Sequence, residues 1–282
     1  MTGFINVNKA QGASSAQEVS KIKWLTKTPC GHMGTLDPMA SGVLPVAIGN
    51  AARLFDYFLS KNKTYVATFK FGVNSDTLDI TGTITSEGGR IPTTEEIEGV
   101  LSEFCGEIEQ LPPKYSAKCI NGKRGYQLAR DGVEFELAPK KVTIHSIKLV
   151  EKISEDEYSF EIECGGGTYI RSIARDLGIR LKTSAIMSAL VRTKSGIFTI
   201  ENAVCTYNLT PQNFSDFLIK TEDVLSFDSI YPSKSEAKKL LNGLTVPCNR
   251  ADGIYKFFDT DGNFYGLAEV KQNVLKVRTK LC

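Results

Sequence analysis

The sequence predicts an α+β fold built on a mainly antiparallel central sheet with flanking helices. Three observations point there. Segments with the period-two apolar alternation of strands outnumber those with helical spacing. Strands and helices do not follow one another in the regular strand-helix-strand order of a parallel sheet. At 282 residues, a folded chain buries roughly 75% of the surface that its unfolded form exposes, so a substantial core forms without disulfide or metal staples.

Taken in order, residues 4–8 (FINVN) read as a short strand. A helix over about 15–27 follows, where Ser15 and Glu18 have capping-box spacing and Pro29 supplies the stop. Residues 31–42 (GHMGTLDPMASG) have loop chemistry, VLPVAIG reads as a buried strand, and about 50–59 as a helix. In KTYVATFKFG, the side chains of Tyr65, Ala67, Phe69 and Phe71 share one strand face, and DITGTIT continues the β pattern. Thr93 and Glu96 form a second capping box ahead of a helix over about 94–104. Residues 112–132 (PPKYSAKCINGKRGYQLARDG) combine turn signals, aromatics and five basic side chains, which suits an exposed, mobile excursion from the core. Two long strands, about 141–153 and 157–164, are joined by SEDE. The glycines at 165–167 lead into the helical TYIRSIARDLG, and about 184–205 reads as a helix turn and a strand pair. From about 229 the pattern restarts with the helix KSEAKKLLNG and short strands punctuated by Asp-Gly at 252–253 and 261–262. The expected organisation is therefore a catalytic-size domain over 1–228 and a small β-rich domain over 229–282.

Composition excludes several classes. With 41% hydrophobic and 23% charged residues, the chain has ordinary soluble composition. No apolar run approaches the roughly 20 residues of a membrane helix, and the N-terminus lacks the charged-then-apolar order of a signal peptide. A cytoplasmic protein with no membrane partner is expected. The seven cysteines are scattered with no CxxC pair and there are two histidines, so neither a disulfide framework nor a metal site is supported. No G-x-x-x-x-G-K-[ST], G-x-S-x-G or H-E-x-x-H motif occurs.

The net charge of +2 conceals segregation: segments 1–70, 113–152 and 164–200 together carry +15, whereas 71–112 and 153–163 carry −13. If the fold gathers the basic segments on one face, that face attracts a polyanion with salt-sensitive affinity. The same pattern also arises from unrelated solvated faces. Histidine-based triads have little raw material here, so a carboxylate is the better catalytic candidate. Asp37 stands in an apolar-flanked loop inside a segment with few other acids, although spacing alone equally describes a plain Asp-Pro turn. Taken singly, His32 also suits a structural role. Tyr65 suits an inward strand aromatic, and Arg171 with Arg175 suits a solvated helical stripe.

A resemblance decides among these. GHMGTLDPMASGVLPVAIGNAARL resembles the signature segment of the TruB family of tRNA pseudouridine synthases. Four further segments match in order: NVNKAQGASS, KTYVATFKFGVNSDTLDITG, PPKYSAKCINGKRGYQLARDG, and CGGGTYIRSIARDLG followed by LVRTKSGIF. The likeness covers about 3–205, and the tail resembles a short PUA domain. One departure is visible: Lys9 is followed by Ala10, where the family usually has proline.

The resemblance implies isomerisation of uridine 55 in the T-loop of tRNA after base flipping, with no cofactor and no metal. It assigns Asp37, Tyr65 and Arg171 as catalytic: Asp37 as the essential carboxylate, Tyr65 as the residue that stacks on the flipped base and assists the proton removal, and Arg171 as the partner orienting Asp37. His32, Tyr169, Leu190 and Lys9 are assigned to substrate binding, and Lys114, Lys118, Lys123 and Arg124 to RNA backbone contacts. A monomer with no obligatory protein partner is expected. Two competing expectations are a guide-RNA-dependent pseudouridine synthase, which usually carries a fuller PUA domain, and an RNA-folding chaperone whose binding matters more than its catalysis.

Overall fold

The computed structural model describes residues 1–59, 61–116, 119–120, 122–133, 135 and 137–281. Strand β1 (Gly3–Lys9) leads to helix α1 (Ser15–Thr26), then β2 (Cys30–His32) and β3 (Ser41–Ile48). A 3-10 turn, Gly49–Leu54, runs into the short α2 (Phe55–Leu59), so the first half of the helix expected near 50–59 is a tighter coil. Next come β4 (Lys63–Phe71), the small hairpin of β5 (Asn74–Ser75) and β6 (Ile84–Ser86), α3 (Thr94–Leu101) and β7 (Gly106–Gln110). The 112–132 excursion holds a minimal hairpin, β8 (Cys119–Ile120) with β9 (Lys123–Arg124), and α4 (Gly125–Arg130). Strands β10 (Lys140–Lys152) and β11 (Glu157–Cys164), helix α5 (Ile170–Arg180), and strands β12 (Ala185–Ser195) and β13 (Phe198–Thr199) complete the larger unit. Then follow β14 (Ser229–Ile230), α6 (Lys234–Leu241), β15 (Val246–Pro247), β16 (Gly253–Phe258), β17 (Phe264–Lys271) and β18 (Val274–Lys280).

The central sheet runs β1-β3-β12-β4-β11-β10-β7, with β2 beside β3 and β13 beside β12. Its pairings are antiparallel apart from the short β3–β12 join, where Ser41 and Gly42 lie opposite Val191 and Arg192. That join needs glycine. Gly42 has φ +100°, and a Cβ there would run into the Arg192 carbonyl oxygen. Strand β4 is central, and its alternation is complete: Lys63, Tyr65, Ala67, Phe69 and Phe71 are buried. Phe69 stacks on Phe160 with ring centroids 4.8 Å apart, and Tyr158 meets Phe71 edge-on at 5.7 Å.

Several local expectations change. The first capping box is Ser14 with Gln17, one position earlier than Ser15 with Glu18. Ser15 is buried: its hydroxyl donates to the Leu36 carbonyl and accepts from the Leu36 N–H, both at 2.9 Å. Helix α1 ends before Pro29 through Lys27, which takes a left-handed conformation at φ 51°. DITGTIT does not extend β4; Asp79 folds the chain into a turn, accepting from Thr77 Oγ1, Thr81 N and Thr81 Oγ1. The expected strand pair of 184–205 is β12 with β13, and its helical turn is the 3-10 turn Ile200–Asn202 that follows them.

Residues 229–281 form a five-stranded sheet, β14-β16-β17-β18-β15, over its own core of Leu240, Phe257, Val270 and Leu275. A separate apolar cluster joins it to the larger unit, with Leu267 and Leu281 packed among Phe4, Val43, Phe58 and Val224. The β17–β18 turn is Gln272-Asn273, both at positive φ, a hairpin the Asp-Gly search missed because neither residue is glycine.

Candidate active site

The strands of the central sheet and the N-terminal end of α5 surround one pocket of about 210 Å³. Five of the eleven residues singled out from the sequence line it: Asp37, Tyr65, Tyr169, Arg171 and Leu190. They come from the 33–40 loop, β4, the start of α5, and β12, which is why no local motif contains them together.

Asp37 and Arg171 meet as a two-pronged pair. Arg171 Nε lies 3.0 Å from Asp37 Oδ2, and Nη2 lies 3.3 Å from Oδ1. The guanidinium is 7% exposed and the carboxylate 34%, so the arginine is fixed and the acid remains open to the pocket. The other arginine donors are also engaged. Nη1 donates to the Thr77 carbonyl at 2.9 Å and lies 3.4 Å from Asp79 Oδ2, while Nη2 reaches the Tyr115 carbonyl at 2.9 Å. A planar fork with this many fixed acceptors holds one orientation. Arg175, four residues on, instead bonds Asp176 and the Leu111 carbonyl, so the two arginines are not a common stripe.

The loop bearing Asp37 is held from three sides. Ser15 grips Leu36, as described. Lys9 is fully buried, donating to the carbonyls of Ala13, Ala10 and Pro38 at 2.6, 3.0 and 3.2 Å; burial lowers its pKa. Arg192, 1% exposed, donates through Nε to the Val43 carbonyl at 2.7 Å, and through Nη2 and Nη1 to those of Gly34 and Thr35. Tyr65 lies opposite Arg192 in the β4–β12 register and Leu190 opposite Ala67. Burial raises the Tyr65 phenol above its usual range, and the neighbouring Arg192 guanidinium pulls it the other way. Burial lowers Lys63, at the pocket edge, to about 8, with Arg192 adding to the effect.

Tyr169 is set by a reciprocal amide clamp: its N–H donates to Gln110 Oε1 at 2.8 Å and its carbonyl accepts from Gln110 Nε2 at 3.1 Å. Ser116 also lines the pocket; it is buried, and its hydroxyl has no partner among the described residues. The remaining sequence candidates lie elsewhere. His32 is on β2, two residues before the pocket wall at Gly34. Lys114 is exposed at a neighbouring hollow with Pro112, Pro113 and Arg175. Lys9 props the Asp37 loop, its ammonium bonding three backbone carbonyls, where the resemblance assigned it to substrate binding. Lys118 lies outside the described residues, and so do the side chains of Lys123 and Arg124. Sequence reading missed Asp79, Gln110, Ser116 and Arg192 as individuals. For Asp79 and Arg192 the available signal was a charge at an otherwise apolar, strand-like position. Among the described residues no group of three His, Cys, Asp or Glu side chains is placed to hold a metal.

Comparison with known proteins gives the family. A family model described as TruB family pseudouridylate synthase (N terminal domain) matches residues 23–170. The chain is 37% identical to the tRNA pseudouridine synthase B of Clostridium novyi (strain NT) over the full length of both. It is 41% identical to that of Borreliella burgdorferi (strain ZS7), over 86% of this chain and 85% of the relative. Among solved structures, a chain of a Cbf5-Nop10-Gar1 complex superposes with a TM-score of 0.74 at 24% identity, covering 99% of this chain and 85% of the other, which establishes the shared fold. The chain thus belongs to the TruB family of pseudouridylate synthases.

Proposed function

We propose that this protein is a tRNA pseudouridine synthase that isomerises uridine 55 in the T-loop, with Asp37 as its essential carboxylate. The observation that carries the reading is the fixed Arg171–Asp37 pair in a pocket walled by Tyr65 and Leu190. The names of its curated relatives supply the substrate class.

In the reaction the N1–C1′ bond breaks, the uracil turns over, C5 bonds to C1′, and the C5 proton leaves. Nothing is added or lost overall, so the atom balance calls for no cofactor. The uridine must leave its stack, and the detached base must be held against water. One carboxylate serves either route to this outcome: attack on ribose or base, or removal of the C2′ proton to give a glycal. Arg171 aims Asp37, and Arg192, Ser15 and Lys9 fix the loop beneath it. Tyr65 offers an aromatic face to the flipped base. Its raised phenol is protonated at neutral pH, so it acts there first as a platform and a hydrogen-bond donor. His32 assists extrusion of the base, and Tyr169 and Leu190 complete the walls. Lys114, with Lys118, Lys123 and Arg124, tracks the T-arm backbone, and residues 229–282 form a second, PUA-like RNA-binding unit that meets the acceptor end. The enzyme works as a cytoplasmic monomer without an obligatory protein partner.

The test is tritium release from an unmodified tRNA transcript labelled at C5 of uridine, with no metal or cofactor added. The wild type is expected to release one equivalent per tRNA, and Asp37→Asn none while still binding the same tRNA. Turnover by Asp37→Asn removes the assignment. Binding without release by the wild type points to a guide-dependent enzyme or an RNA chaperone.

A further inference from the structure

A surface away from the pocket carries the sole tryptophan of the chain. Trp24, on α1, is 63% exposed and Tyr207, in a 3-10 turn over Thr206–Asn208, is 76% exposed. Separated by more than 180 residues in sequence, both line one hollow, floored by Leu25 and Leu209. A second hollow begins at Gly12 and Ala13 and shares Ser20 and Lys21 with the first. Together they make a groove along the exposed face of α1. Its far end abuts the catalytic loop, since Gly12 N donates to the Pro38 carbonyl at 2.8 Å. From Ser15 to Trp24 the helix rises about 14 Å at 1.5 Å per residue, the length of about four stacked nucleotides at roughly 3.4 Å each.

The exposed charges beside the groove are lysines. Lys21 lines both hollows, and Lys23 on α1 and Lys27 at its C-cap flank Trp24; all three are exposed. Its acid, Glu18, is buried and occupied by Lys21 and Thr206. The opposite wall has no charged residue between 202 and 215. Lys27 Nζ stands 4.7 Å over the Trp24 ring, covering one face and leaving most of the residue in solvent. Flat aromatic faces beside the exposed Lys23 and Lys27 are complementary to an unpaired polynucleotide strand.

We infer that this groove binds an unpaired stretch of the substrate RNA next to the nucleotide in the pocket, with bases stacked on Trp24 and Tyr207 and phosphates facing Lys23 and Lys27. The inference rests on RNA being the substrate. An apolar protein segment is the lesser match, because Lys21, Lys23 and Lys27 would oppose burial of the rim.

The single tryptophan makes the test direct. Tryptophan fluorescence is followed while an oligouridylate of eight nucleotides, and then an unmodified tRNA transcript, are added. Saturable quenching is expected, weakened by raising salt from about 50 to 200 mM and weakened about tenfold by Tyr207→Ala. Trp24→Ala is expected to raise KM for the full tRNA about tenfold at unchanged kcat, with Trp24→Phe restoring it. Fluorescence that ignores RNA while the same preparation releases tritium overturns the groove and leaves the enzyme reading intact. Quenching without tritium release supports the groove and counts against the enzyme reading alone. Unchanged RNA affinity in Trp24→Ala, with loss of a dimer in sedimentation, makes the face a protein contact and also overturns the inference.

Discussion

Arg171 shows how a single side chain ties Asp37 to the frame. Its fork serves Asp37, Asp79 and two carbonyls at once, and a lysine ammonium cannot reproduce that planar set. Arg171→Lys is expected to slow single-turnover tritium release by about 100-fold, the order of loss that a misplaced catalytic group produces, with tRNA affinity within about twofold. Arg171→Ala removes the charge as well. It leaves the buried Asp79 without its cation and is expected to cost about 3–5 kcal/mol of stability, read by denaturant unfolding. A merely solvated arginine would give neither effect. Much of this cluster was legible at the level of residue type: Asp37, Tyr65, Tyr169, Arg171 and Leu190 do converge. Asp79 and Arg192 were not, because their meaning depends on partners brought in by distant strands, and a buried charge looks like any surface charge until its neighbours are known. Ser116 belongs to the same group. As a buried hydroxyl lining the pocket with no partner among the described residues, it is available to the bound nucleotide.

At the scale of the element, two adjacent serines at the start of α1 have separate tasks that spacing alone confused. Ser14 caps the helix in a box with Gln17, whereas Ser15 turns inward and closes a two-way bond with Leu36. Ser14→Ala is therefore expected to cost about 1 kcal/mol with activity retained. Ser15→Ala leaves the buried Leu36 N–H without its acceptor, costs about 1–3 kcal/mol, and also lowers kcat because Leu36 precedes Asp37. Thermal unfolding beside tritium release separates the two; equal activity in both variants would remove the link between α1 and the Asp37 loop. Elements with strong periodicity, such as β4 and the paired β10 and β11, were plain in the sequence. The 79–83 turn was not, since its Thr and Ile residues favour strands while Asp79 supplies enough side-chain bonds to bend the chain. The one-residue slip at α1 arose because Ser14-x-x-Gln17 and Ser15-x-x-Glu18 satisfy the same pattern, and only burial tells them apart.

At the scale of the whole molecule, part of the charge segregation closes on itself. Acids of the 71–112 segment pair with neighbours of the basic ones, Glu103 with Arg180 and Glu107 with Lys141; these exposed pairs contribute little stability. The ionisable groups that matter to folding are the buried ones. Burial lowers Lys63 from 10.5 to about 8 and raises the Cys164 thiol from 9.0 to about 11. These two residues face each other between β4 and β11. For Lys63 the unfolded chain binds the proton more tightly than the native state does, so stability rises with pH across the window from about 8 to 10.5, by at most about 1.4 kcal/mol per pH unit. Lys9, lowered by burial, acts in the same direction. For Cys164 the native state keeps its proton longer, so from about pH 9 its contribution opposes that of Lys63. The net expectation is a stability that climbs from pH 8 to 9 and then flattens, measured by denaturant unfolding at fixed ionic strength. Lys63→Met is expected to abolish most of the climb, because it removes the group that must lose its charge comfortably inside the sheet. Cys164→Ala is expected to keep the climb and extend it above pH 9. A wild-type curve that falls between pH 8 and 9 would mean that Lys63 holds its proton in the native sheet and that its bonds to the Phe58 and Lys61 carbonyls outweigh its burial.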